Sequence, residues 1–169
     1  MSVMQYLEAL SYIVTIVALP FAIWVFIKEQ RKERANDDEE VYLKLADDYE
    51  AFLKLILEHA DLHLLASDNG SPPLTAEQQE RRKVLFEILT AQFERAYILV
   101  YEDKMTHQAA RLWQTWEDYM RSWCRRADFR AQIPSLLEGE DPGFQTYLRR
   151  IADEEAWRNP NSLPAPGGT

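Results

Sequence analysis

Two histidines four residues apart have the side-chain type and spacing that best fit metal chemistry in this chain. On a helix, His59 and His63 would share one face, with the carboxylates of Glu58 and Asp61 beside them. A zinc-protease helix needs a glutamate base where Ala60 stands, and a specific zinc site needs a third and a fourth ligand. The sequence therefore assigns no metal, and His59 and His63 are candidate ligands without a complete set.

Four arginines lie close together in the sequence, beside a row of tryptophans. They are Arg121, Arg125, Arg126 and Arg130. Interleaved aromatic and basic side chains can bind single-stranded nucleic acid, but these tryptophans recur at core spacing while the arginines fall on other helix faces. We expect the arginines to pair with neighbouring acids such as Glu117 and Asp118, and binding of an anionic ligand or partner is the alternative.

A stripe of apolar side chains recurs at spacings of four, three, four and three residues. It consists of Ala109, Trp113, Trp116, Met120 and Trp123. Such a stripe is typical of a helix in the core of a small bundle, and a ligand pocket is the alternative. Because no nucleophile–base pair or glycine-rich phosphate loop accompanies it, the sequence predicts no catalytic residue, no cofactor and no enzyme activity.

The elements that position these side chains are predicted to be helices. Apolar residues recur close to every 3.6 residues, and no alternating stretch indicates a strand. One helix is predicted over residues 38–66, and a capping box of Thr75 and Gln78 begins the next. Asp141–Pro142 is typical of a helix start, whereas Pro134 is expected to interrupt the helix before it. The fold class is therefore all-α.

The beginning of the chain is apolar. Nineteen residues, 9–27, carry no charge, and at about 1.5 Å per residue they nearly match the roughly 30 Å hydrocarbon thickness of a bilayer. Basic residues that would form a collar at the membrane surface follow at once: Lys28, Arg31, Lys32 and Arg34. Lysine and arginine near a span stay on its cytoplasmic side, so residues 1–27 are predicted to be a single-pass transmembrane anchor with its amino terminus outside.

One face of the predicted span carries small and polar residues at helical spacing. These are Glu8, Ser11, Thr15, Ala18 and Ala22. Small side chains let a second helix approach closely, and hydroxyl groups can form hydrogen bonds across the contact. The stripe predicts a partner transmembrane helix, from a second copy or from a different protein. Because alanine, serine and threonine are frequent in spans, a chance arrangement is the alternative.

Residues 28–40 join the anchor to the domain, and their basic half precedes an acidic half. Either one helix continues through them, which their composition favours, or the chain breaks at Asn36 and a new helix begins there. Residues 41–158 are predicted to form a cytosolic helical bundle. The tail, residues 159–169, is predicted to be disordered, because it is rich in proline and glycine and lacks apolar periodicity.

Charge and cysteine content bound the remaining possibilities. The formal net charge is −9, and the acidic excess follows the basic collar. Phosphate backbones would be repelled by such a body, so nucleic-acid binding is not expected. Cys124 is the one cysteine, which rules out an internal disulfide and agrees with a reducing compartment.

Aromatic motifs follow the predicted span along the chain. They are the run Phe93–Tyr97, then Trp113, Trp116, Tyr119 and Trp123, then Phe129 with Arg130. In these features the chain resembles uncharacterised bacterial proteins with a single-pass membrane anchor and a helical domain. The resemblance implies a place in the bacterial inner membrane and an accessory role in a larger system, and it transfers no catalytic residue.

These observations together predict a membrane-tethered, non-enzymatic interaction module. It would act as an accessory subunit or adaptor of a membrane complex, with the lipid bilayer and another transmembrane helix as its partners. A membrane-anchored ligand sensor that signals through residues 28–40 is the alternative.

Overall fold

The computed structural model describes residues 3–65 and 73–158, and within its first helix it describes the side chains of residues 20–29 and 40–58. Every secondary-structure element in these ranges is helical, which confirms the all-α class for this part of the chain. The chain divides into two units, residues 1–41 and 42–169. The predicted tail, residues 159–169, lies outside the described residues.

Helix α1 runs without a break from Val3 to Glu58. Of the two structures that the sequence allows for residues 28–40, the continuous helix is the one observed, and Asn36 lies inside it. Glutamate, lysine, arginine and alanine are good helix formers, and no glycine or proline interrupts this stretch. Pro20 is inside the helix as well, where its missing N–H leaves one carbonyl of the preceding turn without its usual donor.

The predicted anchor falls largely on side chains that the structure does not describe. Where side chains are described, no helix has an apolar stretch that is long enough to cross a bilayer. Residues 9–19 of the predicted span lie outside those side chains. Four residues of the predicted contact face also lie outside them, namely Glu8, Ser11, Thr15 and Ala18. The same holds for three residues of the basic collar, namely Arg31, Lys32 and Arg34.

The second unit is a helical bundle. After α1 and a short 3₁₀ helix it contains α2 (Ala76–Val100), α3 (His107–Cys124), α4 (Ala127–Leu136) and α5 (Pro142–Arg158). Helix α3 contacts α2, α4 and α5, and its contact with α5 is the most extensive. These contacts agree with the broad apolar face that its sequence predicts.

Helix starts in the bundle follow the predicted local chemistry. The Thr75 hydroxyl accepts a hydrogen bond from the Gln78 N–H at 3.2 Å, and the Gln78 side chain accepts one from the Thr75 N–H at 2.9 Å. Asp141 Oδ1 accepts the N–H of Phe144 at 2.9 Å in the first turn of α5. Both predicted caps are therefore confirmed.

The predicted interruption at Pro134 is wrong. Helix α4 continues through this residue to Leu136, and the Leu137 N–H still donates to the Ile133 carbonyl at 3.1 Å. Pro134 lies in the last turn of the helix, where the hydrogen bond that its ring removes is one of the final few. The helix ends two residues later.

The core of the bundle is aromatic, and the stripe on α3 lies inside it. Trp113, Trp116, Met120 and Trp123 are buried, which confirms them as core residues. The indole N–H of Trp113 donates to the Tyr147 hydroxyl at 2.8 Å, and that of Trp123 donates to the Tyr49 hydroxyl at 3.1 Å. Each of these buried indoles therefore has the hydrogen-bond partner that burial requires.

Candidate functional site

The described part of helix α1 in the first unit carries a continuous exposed apolar segment, residues 21–27. Six large side chains in it are between 38% and 65% exposed, namely Phe21, Ile23, Trp24, Val25, Phe26 and Ile27. Consecutive residues are about 100° apart around a helix, so the segment is apolar on every face. A helix that is apolar all round is typical of a protein core or a membrane.

A basic side chain closes this apolar segment at its carboxyl-terminal end. The Lys28 ammonium lies 5.3 Å from the centre of the Trp24 ring, and the Phe21 and Trp24 ring centres are 6.0 Å apart. A lysine ammonium over a tryptophan ring at the end of an apolar helical segment is typical of a membrane–water interface. Lys28 is the collar residue whose side chain the structure describes, and Ala22 of the predicted contact face is exposed within the apolar segment.

The two histidines do not share a helix face, so that prediction is wrong. Helix α1 ends at Glu58, His59 precedes a 3₁₀ helix, and His63 follows it in the left-handed conformation, with φ of 52°. His59 Nδ1 lies 3.5 Å from a guanidinium nitrogen of Arg81. Among residues 3–65 and 73–158, no group of three or more histidines, cysteines, aspartates or glutamates is placed to hold a metal ion.

Part of the arginine cluster surrounds a buried carboxylate on α5. Glu155 is only 1% exposed, and Arg121, Arg125 and Arg158 lie within 3.0 to 3.3 Å of its oxygens. Arg121 also contacts Glu117 at 2.6 Å, which confirms that predicted pair. The other two carboxylates that Arg121 contacts, those of Glu154 and Glu155, belong to α5 and not to α3.

Glu117 is held in its ionised form inside this network. Burial raises the pKa of Glu117, but hydrogen bonds from Tyr147 and Arg121, together with the nearby charge of Arg121, outweigh burial and bring the pKa below its ordinary value. A carboxylate that accepts several hydrogen bonds gains more from ionisation than it loses by leaving water. The network therefore consists of charged groups on α3 and α5 that hold the two helices together.

The other two arginines of the cluster contact backbone carbonyls. Arg126 lies 2.8 Å from a carboxylate oxygen of Asp128 and donates to the Leu64 carbonyl at 2.9 Å. Arg130 donates to the carbonyls of Cys124 and Arg125, both at 2.7 Å, at the carboxyl-terminal end of α3. These contacts join chain segments of the bundle, as basic groups near a helix carboxyl terminus commonly do.

A pair of carboxyl groups that the sequence analysis missed joins α2 to the turn before α5. Glu94 accepts the backbone N–H of Asp141, the residue after Glu140. Hydrogen bonding with Glu94, burial and repulsion from the Glu94 charge raise the pKa of Glu140 to about 7. No local pattern could indicate this pair, because its members are distant in sequence and meet through the tertiary fold.

Other proteins offer no guide to these sites. Comparisons with protein family models, with curated proteins and with solved structures find no match for this chain. Among the described residues, the apolar segment 21–27 exposes six large apolar side chains in one helical run.

The aromatic side chains that would line a ligand pocket contact one another. The ring centres of Trp116 and Tyr49 are 5.9 Å apart, and those of Trp113 and Tyr101 are 5.1 Å apart. Edge-to-face pairs at such distances are typical of a packed aromatic core. The ligand-sensor hypothesis stays a prediction.

Proposed function

We propose that this protein is a membrane-tethered, non-enzymatic interaction module that serves as an accessory subunit or adaptor of a membrane complex. The apolar segment 21–27 is the observation that supports the proposal most directly, because its side chains are exposed on every face of α1. Removal of one large apolar side chain from water is worth about 1.5–3 kcal/mol. Six such side chains in one helical segment favour a lipid environment strongly.

In this proposal residues 9–27 cross the membrane, and the apolar segment 21–27 is the carboxyl-terminal part of that span. The basic residues Lys28, Arg31, Lys32 and Arg34 lie at the cytoplasmic surface of the membrane, and the acidic bundle lies in the cytosol. The contact of Lys28 with Trp24 supports the position of that interface, since the indole and the ammonium mark the boundary between apolar and polar surroundings.

Membrane association and orientation can be tested together on the full chain. Bacterial membranes that contain the protein are washed with alkaline carbonate, and a reporter fused after residue 158 shows the side on which the bundle lies. We expect the protein to stay in the carbonate-washed membranes and the reporter to be active only in the cytosol. Recovery of a homogeneous protein without detergent, or a reporter active outside the cytosol, would contradict the proposal.

The contact face of the proposed span leads to a prediction about partners. Replacement of Ala18 and Ala22 with isoleucine adds bulk where a second helix would approach, so it is expected to abolish co-purification of a stoichiometric membrane partner in mild detergent. A matched control adds bulk on the opposite side of the helix, with Ala9→Ile and Val17→Ile, and should leave the partner bound. An unchanged yield of partner with the first variant would reject the predicted contact face.

A further inference from the structure

Where α3 and α5 lie side by side, the bundle carries arginines whose side chains reach into solvent. Arg125, Arg150 and Arg158 are each between 50% and 60% exposed. Glutamates of α5 hold all three of them. Arg125 and Arg158 contact different oxygens of the buried Glu155 carboxylate, and Arg150 lies 3.0 Å from a carboxylate oxygen of Glu154. These contacts fix the positions of the guanidinium groups without removing them from water.

The three guanidinium groups have more hydrogen-bond donors than the glutamates use. In the part of the chain that the structure describes, Arg125 binds Glu155 through Nε, whereas Arg150 and Arg158 bind their glutamates through Nη1. A guanidinium has five N–H donors in a planar fork, and such a fork binds a carboxylate through two of them. Within that part of the chain, both terminal nitrogens of Arg125 and one of each of the other two therefore remain for acceptors outside the bundle.

A tryptophan is exposed on the same side of α5. Trp157 is 86% exposed, and within the described helices α3, α4 and α5 it is the one exposed large apolar side chain. At about 100° per residue, Arg150, Trp157 and Arg158 lie within about 100° of one another around α5. We call Arg125, Arg150, Trp157 and Arg158 the α3–α5 edge. This edge combines one apolar ring with three half-exposed positive charges.

Such a combination favours a protein partner over a phosphate or a bilayer. Tryptophan and arginine are enriched among the residues that contribute most to protein–protein binding. A phosphate ion has no apolar group to cover an indole ring. A helix that lies on a membrane exposes a wide apolar face, whereas α5 exposes Trp157 as its one large apolar side chain. Because guanidinium groups bind carboxylates through paired hydrogen bonds, the complementary side chains are aspartates or glutamates.

We propose that the α3–α5 edge docks an acidic segment of the partner protein, whose carboxylates bind the three arginines and whose apolar side chains cover Trp157. This docking rests on the proposed function, because an accessory subunit needs a surface for its partner. It adds that the surface lies on the bundle and that the partner segment is acidic. The formal net charge of the chain is −9, so acidic segments are repelled by most of its surface and bind where the arginines are concentrated.

Fluorescence polarisation with the full chain in neutral detergent micelles tests the docking. The probe is a labelled synthetic peptide built from Glu-Glu-Leu repeats, and a peptide of equal length built from Gln-Gln-Leu repeats is its uncharged counterpart. We expect the acidic peptide to bind and the uncharged peptide not to bind. The double variant Arg125→Gln, Arg158→Gln should raise the Kd of the acidic peptide about tenfold, and Trp157→Ala should have an effect of similar size.

A matched variant separates the position of the charges from their number. The double variant Arg111→Gln, Arg149→Gln removes the same charge from exposed positions of α3 and α5 outside the edge, and it should leave the Kd within about twofold of the natural value. If Arg125→Gln, Arg158→Gln does not show the natural helix content by circular dichroism, Trp157→Ala decides the test, because Trp157 is exposed and contributes little to the core.

Several results would overturn the docking. These are failure of the acidic peptide to bind, equal binding of the uncharged peptide, and a loss in the control variant as large as that in the edge variants. Displacement of the peptide by short-chain phosphatidylglycerol, but not by short-chain phosphatidylcholine, would assign the edge to anionic lipid and overturn it too. Retention in carbonate-washed membranes is measured separately, so failure of the docking is distinguishable from failure of the proposed membrane anchor.

Discussion

Replacement of Arg121 with alanine is expected to lower the free energy of unfolding by about 3–5 kcal/mol, the range for breaking a buried ion pair. The Arg121 side chain is 16% exposed and contacts three carboxylates, including that of Glu155, which is 1% exposed. Without Arg121, the buried charge of Glu155 loses its least exposed partner. The low dielectric of such a site makes an uncompensated carboxylate costly.

Arg125→Ala is the matched control for this prediction. Arg125 binds the same carboxylate of Glu155, but its side chain is 60% exposed. Water screens such a contact, so its loss should cost no more than about 1 kcal/mol. Urea unfolding of the full chain in detergent micelles, followed by fluorescence of the buried tryptophans, measures both variants. A cost for Arg121→Ala no larger than that for Arg125→Ala would show that burial of Glu155 does not set the strength of the network.

The second large effect is expected in the apolar segment of α1. An aspartate costs about 2.5–3.5 kcal/mol of insertion free energy at the centre of a membrane span, and less toward the ends; Phe21 and Ile23 lie between the centre of the proposed span and its cytoplasmic end. The double variant Phe21→Asp, Ile23→Asp should therefore lower the carbonate-resistant fraction of the protein more than tenfold, a conservative figure because about 1.4 kcal/mol already corresponds to a factor of ten. The fraction is measured by quantitative immunoblotting of washed membranes.

A control with the same chemical change outside the segment makes this result specific. Leu57 and Leu65 are large apolar residues, both exposed, in the second unit. The double variant Leu57→Asp, Leu65→Asp should stay in the washed membranes like the natural sequence, since neither residue belongs to the proposed span. If the Phe21→Asp, Ile23→Asp variant also stays there, the segment does not hold the protein in lipid.

Glu140 and Glu117 respond differently to pH, which allows their contributions to stability to be told apart. The pKa of Glu140 is raised, so its contribution is lost as the pH increases. The pKa of Glu117 is lowered, so its contribution is present above the ordinary pKa of a glutamate and lost as the pH falls. Measurements at acidic and at slightly alkaline pH therefore report on different contacts in the same bundle.

Local patterns predicted much of the bundle because they reflect local physics. The stripe on α3, the capping box of Thr75 and the Asp141 cap depend on residues within four positions of each other. Apolar periodicity decides which face a helix buries, and a capping side chain satisfies backbone donors a few residues away. These features are therefore present in the sequence itself.

The histidine pair shows where such local reasoning fails. A spacing of four residues implies a shared face only if the helix continues through both positions. Helix α1 ends at Glu58 and His63 adopts a left-handed conformation, so the two rings lie on irregular backbone. Where a helix ends depends on how the following segment packs in the bundle, which spacing does not encode.

By itself, the sequence determined that this chain is helical, which faces of the bundle helices are apolar and where α2 and α5 begin. Only the tertiary structure decided which charges meet, because the Glu94–Glu140 pair and the arginines around Glu155 join helices far apart along the chain. Electrostatic contacts depend on distance in space and on the burial of each group, and both become defined when the helices pack. Helix propensity and capping act between near neighbours, and these interactions can therefore be predicted before the fold is known.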